Sequence, residues 1–266
     1  YCHEENVLAV SARDFSITLW DMRKGRLGKN VPKIVRTLKA PTSQISMVWS
    51  HKHRTLFTAG VNLEIIAWNV KTQAILGKLS AHKDMIMHVI CIDEMDMIVS
   101  AGLDDIVYLY GIPEMKTFGA CIGHKKGVRR VCWGHGMLFS CGFEYTVRVW
   151  EIDLNEAGER YAEGKQVMSL KGHSVMLLDV QIVPGELPLV VTCDVNGNFK
   201  LWDVGMFASF SGEGIELQSF TAGPSVKSSI QCFFISTQCE SGPIPGSEDN
   251  PEPLKPLCTL IAATNE

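Results

Sequence analysis

The stretch SCGFEYTVRVWE, residues 140–151, places a Ser, two small residues, an acid, a short apolar alternation and a Trp-acid pair in one phrase. Four other stretches follow the same plan: VSARDFSITLWD (10–21), TAGVNLEIIAWN (58–69), SAGLDDIVYLYG (100–111) and TCDVNGNFKLWD (192–203). Their aromatic residues stand 48, 42, 40 and 52 positions apart, at Trp20, Trp68, Tyr110, Trp150 and Trp202. A period of about 40 to 50 residues is typical of a solenoid, a propeller or another repeat array.

A second signal lies upstream of three of these aromatic residues. Ala81-His82, Gly123-His124 and Gly172-His173 precede the aromatic residue by 28, 26 and 29 positions, counted from the His. In the second unit Pro41 holds this place, 27 positions before Trp68. An alternation of apolar residues with period two follows each site and recurs before each Trp, which indicates strands and not helices. Each unit is therefore predicted to contain four short strands.

The two repeated signals resemble the WD40-repeat family, in which Gly-His and Trp-Asp bracket each four-stranded blade of a β-propeller. The resemblance implies an all-β fold built of four-stranded antiparallel blades. Residues 1–266 are expected to form one propeller segment, with four whole blades and partial blades at both ends of a seven-bladed ring. Residues 239–256, rich in Pro and acids, are predicted to be a disordered loop. The degenerate repeats and the ending LCTLIAATNE also resemble the large WD-repeat proteins of cilia and flagella.

The resemblance also implies a hydrogen-bonded chain within each blade, joining the turn His, a Ser or Thr, the acid of the next turn and the aromatic residue. Carried over position by position, it assigns three sets: His82, Ser100, Asp104 and Tyr110; His124, Ser140, Glu144 and Trp150; His173, Thr192, Asn196 and Trp202. Each set departs from the preferred residues at one position, so a softened network is expected.

His, Ser and acid together also suggest a hydrolytic triad. A single active site would not need the set in blade after blade, so the sequence favours a structural role and predicts no catalytic residue. Cys141 and Cys193 share one small-residue position with Ala59 and Ala101, which indicates packing. The spacing of Cys121 and His124 lacks a second ligand pair. No metal and no cofactor is predicted, since phosphate-binding and dinucleotide motifs are absent from the sequence.

Charge limits the partners that the chain is expected to bind. Residues 1–60 carry ten Lys and Arg against four Asp and Glu, whereas residues 61–266 carry fifteen against twenty-five. The acidic majority argues against general nucleic-acid binding, and no apolar run is long enough for a membrane span. The Cys pattern indicates a reduced compartment, so a cytoplasmic location is predicted, with cilium, flagellum or cytoskeleton as narrower alternatives. Residues 21–33 carry five positive charges: Arg23, Lys24, Arg26, Lys29 and Lys33. This stretch is predicted to form a patch on the rim that attracts an acidic protein segment. The alternative is a solvated loop.

The main binding surface is predicted on the face that carries the Gly-His turns. The residue before each acid should lie at a turn tip, and four of these five residues are apolar although turn tips are usually polar. Together with two Met residues three places after a His, they form the predicted partner site: Arg13, Val61, Met85, Leu103, Phe143, Met176 and Val195. The alternative is that these side chains complete the core between blades.

A non-catalytic scaffold that binds a protein or peptide is the favoured function. The second hypothesis is a propeller belonging to a larger enzyme or to an axonemal protein.

Overall fold

The computed structural model describes residues 1–23, 32–154, 162–205, 212–221, 230–238 and 257–264. The described chain is built from strands and two 3-10 turns, His3–Glu5 and Asp93–Met95. The strands are β1 Val7–Ser11, β2 Ser16–Asp21, β3 Lys33–Lys39, β4 Gln44–Ser50, β5 Thr55–Gly60, β6 Glu64–Trp68, β7 Ile75–Ser80, β8 Ile86–Ile92, β9 Met97–Gly102, β10 Ile106–Gly111, β11 Lys116–Ile122, β12 Val128–Gly134, β13 Met137–Gly142, β14 Val147–Leu154, β15 Ala162–Leu170, β16 Leu177–Ile182, β17 Leu189–Asp194, β18 Asn198–Asp203, β19 Ile215–Thr221, β20 Ile230–Gln238 and β21 Leu257–Thr264.

Consecutive strands pair antiparallel into blades. Strands β4–β7, β8–β11, β12–β15 and β16–β19 form four complete blades, here called blades II to V. Strands β1–β3 form the three-stranded blade I, and β20 pairs with β21. The all-β fold of four-stranded antiparallel blades is therefore confirmed, with four whole blades between two partial ones. The loop predicted at 239–256 lies outside the described residues.

Most of the hydrophobic core of the described chain lies between neighbouring blades. One apolar cluster joins blades I and II, a second joins II and III, a third joins III and IV, and a fourth joins IV and V. The second strand of each complete blade, β5, β9, β13 or β17, is almost wholly buried, while the fourth strand is largely exposed in β7 and β19 and partly buried in β11 and β15. A blade is a single sheet with two faces, so it can bury both only between two neighbours. This is the physical reason for the repeat.

Each Trp or Tyr of the repeat coincides with a bulge. The pairing between the third and fourth strand shifts by one residue at Trp20, Trp68, Tyr110, Trp150 and Trp202. The extra residue on the fourth strand is always apolar: Val35, Leu76, Phe118, Val167 and Leu217. Phe118 and Val167 pack against the inter-blade core, whereas Val35, Leu76 and Leu217 are exposed. Bulges bend a strand at a fixed place, and the repeat uses them at equivalent positions.

Polar side chains on the inner strands join neighbouring blades. The backbone N–H of Val89 donates to Ser46 Oγ across 3.0 Å, and that of Val131 donates to His88 Nδ1 across 3.4 Å. Between blades IV and V, Arg130 Nε lies 3.5 Å from Asp179 Oδ1. Burial and the charge of Arg130 lower the pKa of His88 to about 3, which keeps its ring neutral and Nδ1 able to accept.

Blades III and IV are also joined at the rim. Strand β15 begins at Ala162 and pairs in parallel with β11 through Gly119–Ala162 and Ala120–Glu163, which merges the two blades into one eight-stranded sheet. Gly164 lies against Cys121, and a Cβ on Gly164 would stand 2.1 Å from Cys121 Sγ. Strand β14 extends to Leu154 and β15 begins at Ala162, while residues 155–161 lie outside the described part.

Gly164→Ala is expected to destabilise the protein by about 1–3 kcal/mol, because its methyl group would overlap the Cys121 side chain in a packed site. Ser169→Ala on the same strand is the control and should change stability by less than about 0.5 kcal/mol. Urea unfolding followed by Trp fluorescence measures both. Equal stability of Gly164→Ala and the wild-type protein would contradict the close approach at this rim.

Candidate partner-binding face

In blade III the turn before β8 is tied to the turn between β9 and β10 through His82. Its Nδ1 lies 2.9 Å from Asp104 Oδ1, and its Nε2 lies 2.7 Å from Ser100 Oγ. The second oxygen of Asp104 accepts from the Lys83 backbone N–H across 2.8 Å. The Tyr110 hydroxyl stands 3.4 Å from Ser100 Oγ, a long contact. These hydrogen bonds lower the pKa of Asp104 although burial opposes the shift.

Blade IV repeats the arrangement with a different acid. Trp150 Nε1 donates to Ser140 Oγ across 2.7 Å, and that oxygen lies 2.6 Å from His124 Nε2. Glu144 Oε1 is 2.6 Å from His124 Nδ1, but the contact lacks the alignment of a hydrogen bond. Glu144 also accepts from Arg148 Nε at 2.6 Å. The extra methylene of Glu therefore brings the carboxylate close to the imidazole but off its N–H direction.

Blade V corrects the sequence assignment. His173 Nε2 lies 2.8 Å from Thr192 Oγ1, and Trp202 Nε1 donates to the same oxygen across 2.9 Å. The carboxylate beside His173 Nδ1 is that of Asp194, at 2.9 Å, and not the side chain of Asn196. Asn196 is exposed and donates its backbone N–H to Asp194 Oδ1.

The physical reason is visible in blade III, where Gly102 occupies the place equivalent to Asp194. A Cβ on Gly102 would lie 2.5 Å from His82 Nδ1, so a side chain at this position points directly at the imidazole. An acid placed there reaches the His without help from the turn that follows. The phrase Thr192-Cys193-Asp194, set beside Ser100-Ala101-Gly102, was the signal that could have revealed it.

Blades I and II depart further from the pattern. In blade II, Trp68 Nε1 donates to Thr58 Oγ1 across 3.0 Å, while Asn62 accepts from Thr42 at 3.2 Å in place of an imidazole. In blade I, Trp20 Nε1 donates to Thr18 of its own strand across 2.9 Å. The indole is satisfied in both blades, but the two turns are not joined through a His.

The network holds the turns of one face of the blades, here called the upper face. Each residue before the acid donates its backbone N–H to the residue three places after the His: Leu103 to Met85 at 3.0 Å, Phe143 to Gly127 at 3.0 Å, Val195 to Met176 at 3.1 Å. The two groups of predicted residues are thereby brought side by side in blades III, IV and V. In blade II the equivalent partner of Val61 is the carbonyl of Ser43, at 3.3 Å.

Leu103 and Phe143 meet across a blade boundary. A Cβ on Gly127 would lie 2.9 Å from Leu103 Cδ2 and 3.3 Å from Phe143 Cδ2, so both side chains pack over the bare backbone at Gly127. Met85, Leu103, Phe143, Met176 and Val195 are all half-buried. Arg13 and Val61 are exposed, Val61 at 48%. The apolar residues of blades III to V therefore lie between the two predicted extremes, neither fully exposed nor closed inside the core.

The predicted basic patch is only partly described. Arg23 is exposed and its guanidinium binds the carboxylate of Asp21, which lowers the pKa of Asp21 to about 2. Lys33 is exposed at the start of β3. Lys24, Arg26 and Lys29 lie outside the described residues.

One set of contacts on the opposite, lower face gave no repeat signal in the sequence. Asp93 accepts from Ser50 Oγ at 2.5 Å and from the His51 backbone N–H at 2.8 Å, and Asp96 accepts from Lys52 Nζ at 2.7 Å. These hydrogen bonds join blades II and III. The acids lie in the first turn of blade III and have no fixed place in the repeated phrase.

The thiols of Cys141 and Cys193 are fully buried, and burial raises the pKa of both. Cys141 belongs to the apolar cluster between blades IV and V, and Cys193 belongs to a cluster within blade V. Within the described residues, no His, Cys, Asp and Glu side chains gather in a group of three suited to a metal ion. No helix in the described part of the chain has the length and apolar character needed to cross a membrane.

The fold and the repeated His network define a propeller-type repeat protein. The family described as WD domain, G-beta repeat matches residues 115–151 and 164–203, which contain the networks of blades IV and V. Two segments of the chain therefore match WD40 repeats, and each lies within the array of four-stranded blades. WD40 repeats indicate a scaffold for protein interaction.

Several curated proteins resemble the chain. Cilia- and flagella-associated protein 337 B of Tetrahymena thermophila is 25% identical over 191 residues, 70% of this chain and 14% of that protein. The DENN domain and WD repeat-containing protein SCD1 of Arabidopsis thaliana is 21% identical over 66% of this chain and 14% of its own length. The coronin-like protein of Saccharomyces cerevisiae is 32% identical over 29% of this chain and 11% of its own. The chain thus spans about one seventh of the length of the first two relatives.

Asp194→Asn is expected to destabilise the protein by about 1–3 kcal/mol at pH 7, because it weakens a charge-assisted hydrogen bond to His173 in a buried place. Asn196→Ala is the matched control in the same turn and should cost less than about 0.5 kcal/mol, since its side chain is exposed. Urea unfolding measures the two changes. A larger loss in Asn196→Ala would restore the assignment made from the sequence.

The same variant has an expected pH dependence. Hydrogen bonds from Asn198 and His173 lower the pKa of Asp194 in the folded protein although burial opposes the shift. The carboxylate therefore contributes stability above about pH 4, its unfolded pKa, and this contribution is lost as the pH falls towards the folded pKa. The gap between wild type and Asp194→Asn should stay nearly constant from pH 7 to pH 5 and narrow below pH 4. A gap that widens in acid would contradict this sign.

Proposed function

We propose that the chain is a non-catalytic scaffold that binds a protein or peptide on its upper face. The observation that carries the proposal is the meeting of Leu103 and Phe143 over Gly127, at the boundary of blades III and IV. Half-buried apolar side chains on turns that a polar network holds in place form a preorganised contact surface. Such a surface loses little conformational entropy when a partner binds. The network recurs in three blades, which supports a structural role for its His residues and not a catalytic one.

Two positive charges lie beside this apolar contact. Lys125 and Lys126 are exposed beside Gly127, and the Lys126 ammonium lies 5.2 Å from the centre of the Tyr145 ring. An apolar centre with a charged rim is the usual composition of a protein interface. Phe143 is the expected anchor, since aromatic residues carry a disproportionate share of binding energy.

Phe143→Ala is expected to weaken partner binding about tenfold or more while the fold is retained. The probes are peptides selected on the wild-type chain from a random peptide display library, and their Kd values are measured by fluorescence anisotropy. Leu76→Ala, an exposed apolar residue on the rim of blade II, is the control and should leave the Kd values unchanged. Unchanged affinity of the selected peptides for Phe143→Ala would refute the proposal, as would unfolding of that variant at room temperature.

We also propose that the chain works within a protein of cilia or flagella and not within a larger enzyme. The relative from Tetrahymena supports this setting, because its similarity extends over 70% of the chain. The full-length protein fused to a fluorescent tag should concentrate in the axoneme of a ciliated cell. A uniform cytosolic signal would argue against this setting without touching the proposed upper face.

A second partner class has support at the rim of blade I. Strand β3 carries Lys33, Arg36 and Lys39 and no acid, and none of the three has an ion-pair partner among the described residues. We propose that this rim attracts an acidic protein segment. The attraction would be salt-dependent, because the charges are largely exposed.

A further inference from the structure

The blades cover one another's outer edges in a regular way. The fourth strand of a blade has a free outer edge, and at a fixed place along it the next blade supplies a cover. On β11 this place is Gly119–Ala120, which pairs in parallel with β15 of blade IV. On β15 the equivalent place is Ser169, which exchanges hydrogen bonds of 3.0 and 3.2 Å with Gly212 and Gly214 of blade V.

Blade II follows the same rule with a side chain. A Cβ on Gly77 of β7, the position equivalent to Gly119, would lie 2.7 Å from Met115 Cε of blade III. In each of these three blades the cover comes from the connection between the third and fourth strand of the blade that follows, or from the start of its fourth strand. An outer edge without a cover presents unpaired backbone groups that can accept another strand.

Blade I is the exception among the blades whose successor is described. The place equivalent to Gly119–Ala120 on β3 is Arg36–Thr37, as the pairing with β2 shows. The connection of blade II, residues 69–74, does not pair with it. A cavity of about 330 Å³ separates the two, and its lining includes Val35, Arg36, Val70 and Lys71.

The charges in this cavity leave one group unpaired. Glu5 is bound to Lys71 at 3.0 Å, and Asp21 is bound to Arg23. The Arg36 guanidinium has no ion-pair or hydrogen-bond partner among the described residues, and Lys33 and Lys39 flank Arg36 on the same strand. Edge strands β7 and β19 differ, since Lys78 is paired with Glu64 at 2.8 Å and Glu216 with Lys200 at 2.7 Å. In contrast to β7 and β19, the uncovered edge of β3 thus carries cations that have no ion-pair partner among the described residues.

We propose that an extended acidic segment of a partner protein adds to the outer edge of β3 as a parallel strand, as β15 adds to β11. Its backbone pairs beside Arg36 and Thr37, an acidic side chain enters the cavity to meet Arg36, and its apolar side chains cover Val35 and Ile34, which are 43% and 53% exposed. The bulge at Val35 is no obstacle, because β11 has the same bulge at Phe118 and still accepts a strand. The inference rests on the proposed attraction of an acidic segment to this rim and specifies how that segment binds.

The test uses a fluorescein-labelled seven-residue peptide of alternating Glu and Val, with its ends blocked, and anisotropy titrations with the full chain. Lys33→Glu combined with Lys39→Glu should weaken binding at least about tenfold, since it reverses the charge along the edge. Lys116→Glu combined with Lys165→Glu is the matched control. Both of these Lys residues are exposed on outer strands, those of blades III and IV, whose edges are already covered.

Two further peptides separate strand addition from simple attraction of charge. Each carries N-methyl groups on every second amide, one on the odd and one on the even positions. A strand directs alternate N–H groups to opposite sides, so strand addition predicts that one methylated peptide loses at least about tenfold in affinity while the other binds within about twofold of the parent. Equal binding of both, with the Lys33 and Lys39 effect retained, would overturn strand addition and leave the acidic attraction standing. Absence of binding by the parent peptide would overturn both.

Discussion

The need of each blade to bury two faces governs this structure. A four-stranded sheet packed on one side leaves its other side in water, and four of the five apolar clusters among the described residues lie between neighbouring blades. Stability in such an array is approximately a sum of single-unit and nearest-neighbour contributions. The inner strands add a polar seam, in which Ser46 and His88 accept from the backbone of the following blade. Packing and hydrogen bonding therefore act at the same boundaries.

The His networks connect the buried core to the turns that form the upper face. Each joins two turns of the upper face to a buried Ser or Thr, so the turn tips are held by groups that are themselves fixed in the core. A hydrogen-bonded network in a partly dry place is stronger than its separate bonds suggest, and it is costly when one partner is removed. Blade V keeps the network with a carboxylate supplied from the end of β17, while blade IV keeps it with a longer acid. The geometry around the imidazole is conserved between blades more closely than the position of the acid.

The blades differ at the rim, in how far the bulged residue of the outer strand is buried. The bulge at the aromatic residue is present in all five, but the apolar bulged residue is half-buried only in blades III and IV, where β15 and its neighbours cover the edge. Val35 is exposed on β3, which has no cover, and Leu76 is exposed on β7, which only the Met115 side chain covers. Exposed apolar residues on an edge strand invite a partner strand, and positive charges decide which partners are attracted. Equivalent positions in a repeat thus acquire different roles from the neighbour that they meet.

The sequence by itself determined the blade fold, because period-two alternation and the spacing of the His and aromatic residues are local signals repeated in register. It also determined most members of the network: His82, Ser100 and Asp104 lie where the pattern predicts. Only the tertiary structure decided that Asp194 and not Asn196 faces His173, because the approach of the end of β17 to the imidazole is a contact between residues 21 positions apart in the chain. Likewise, the half-burial of Phe143 and the uncovered edge of β3 depend on contacts between blades. Those contacts join residues far apart in the chain, and a pattern within one unit does not record them.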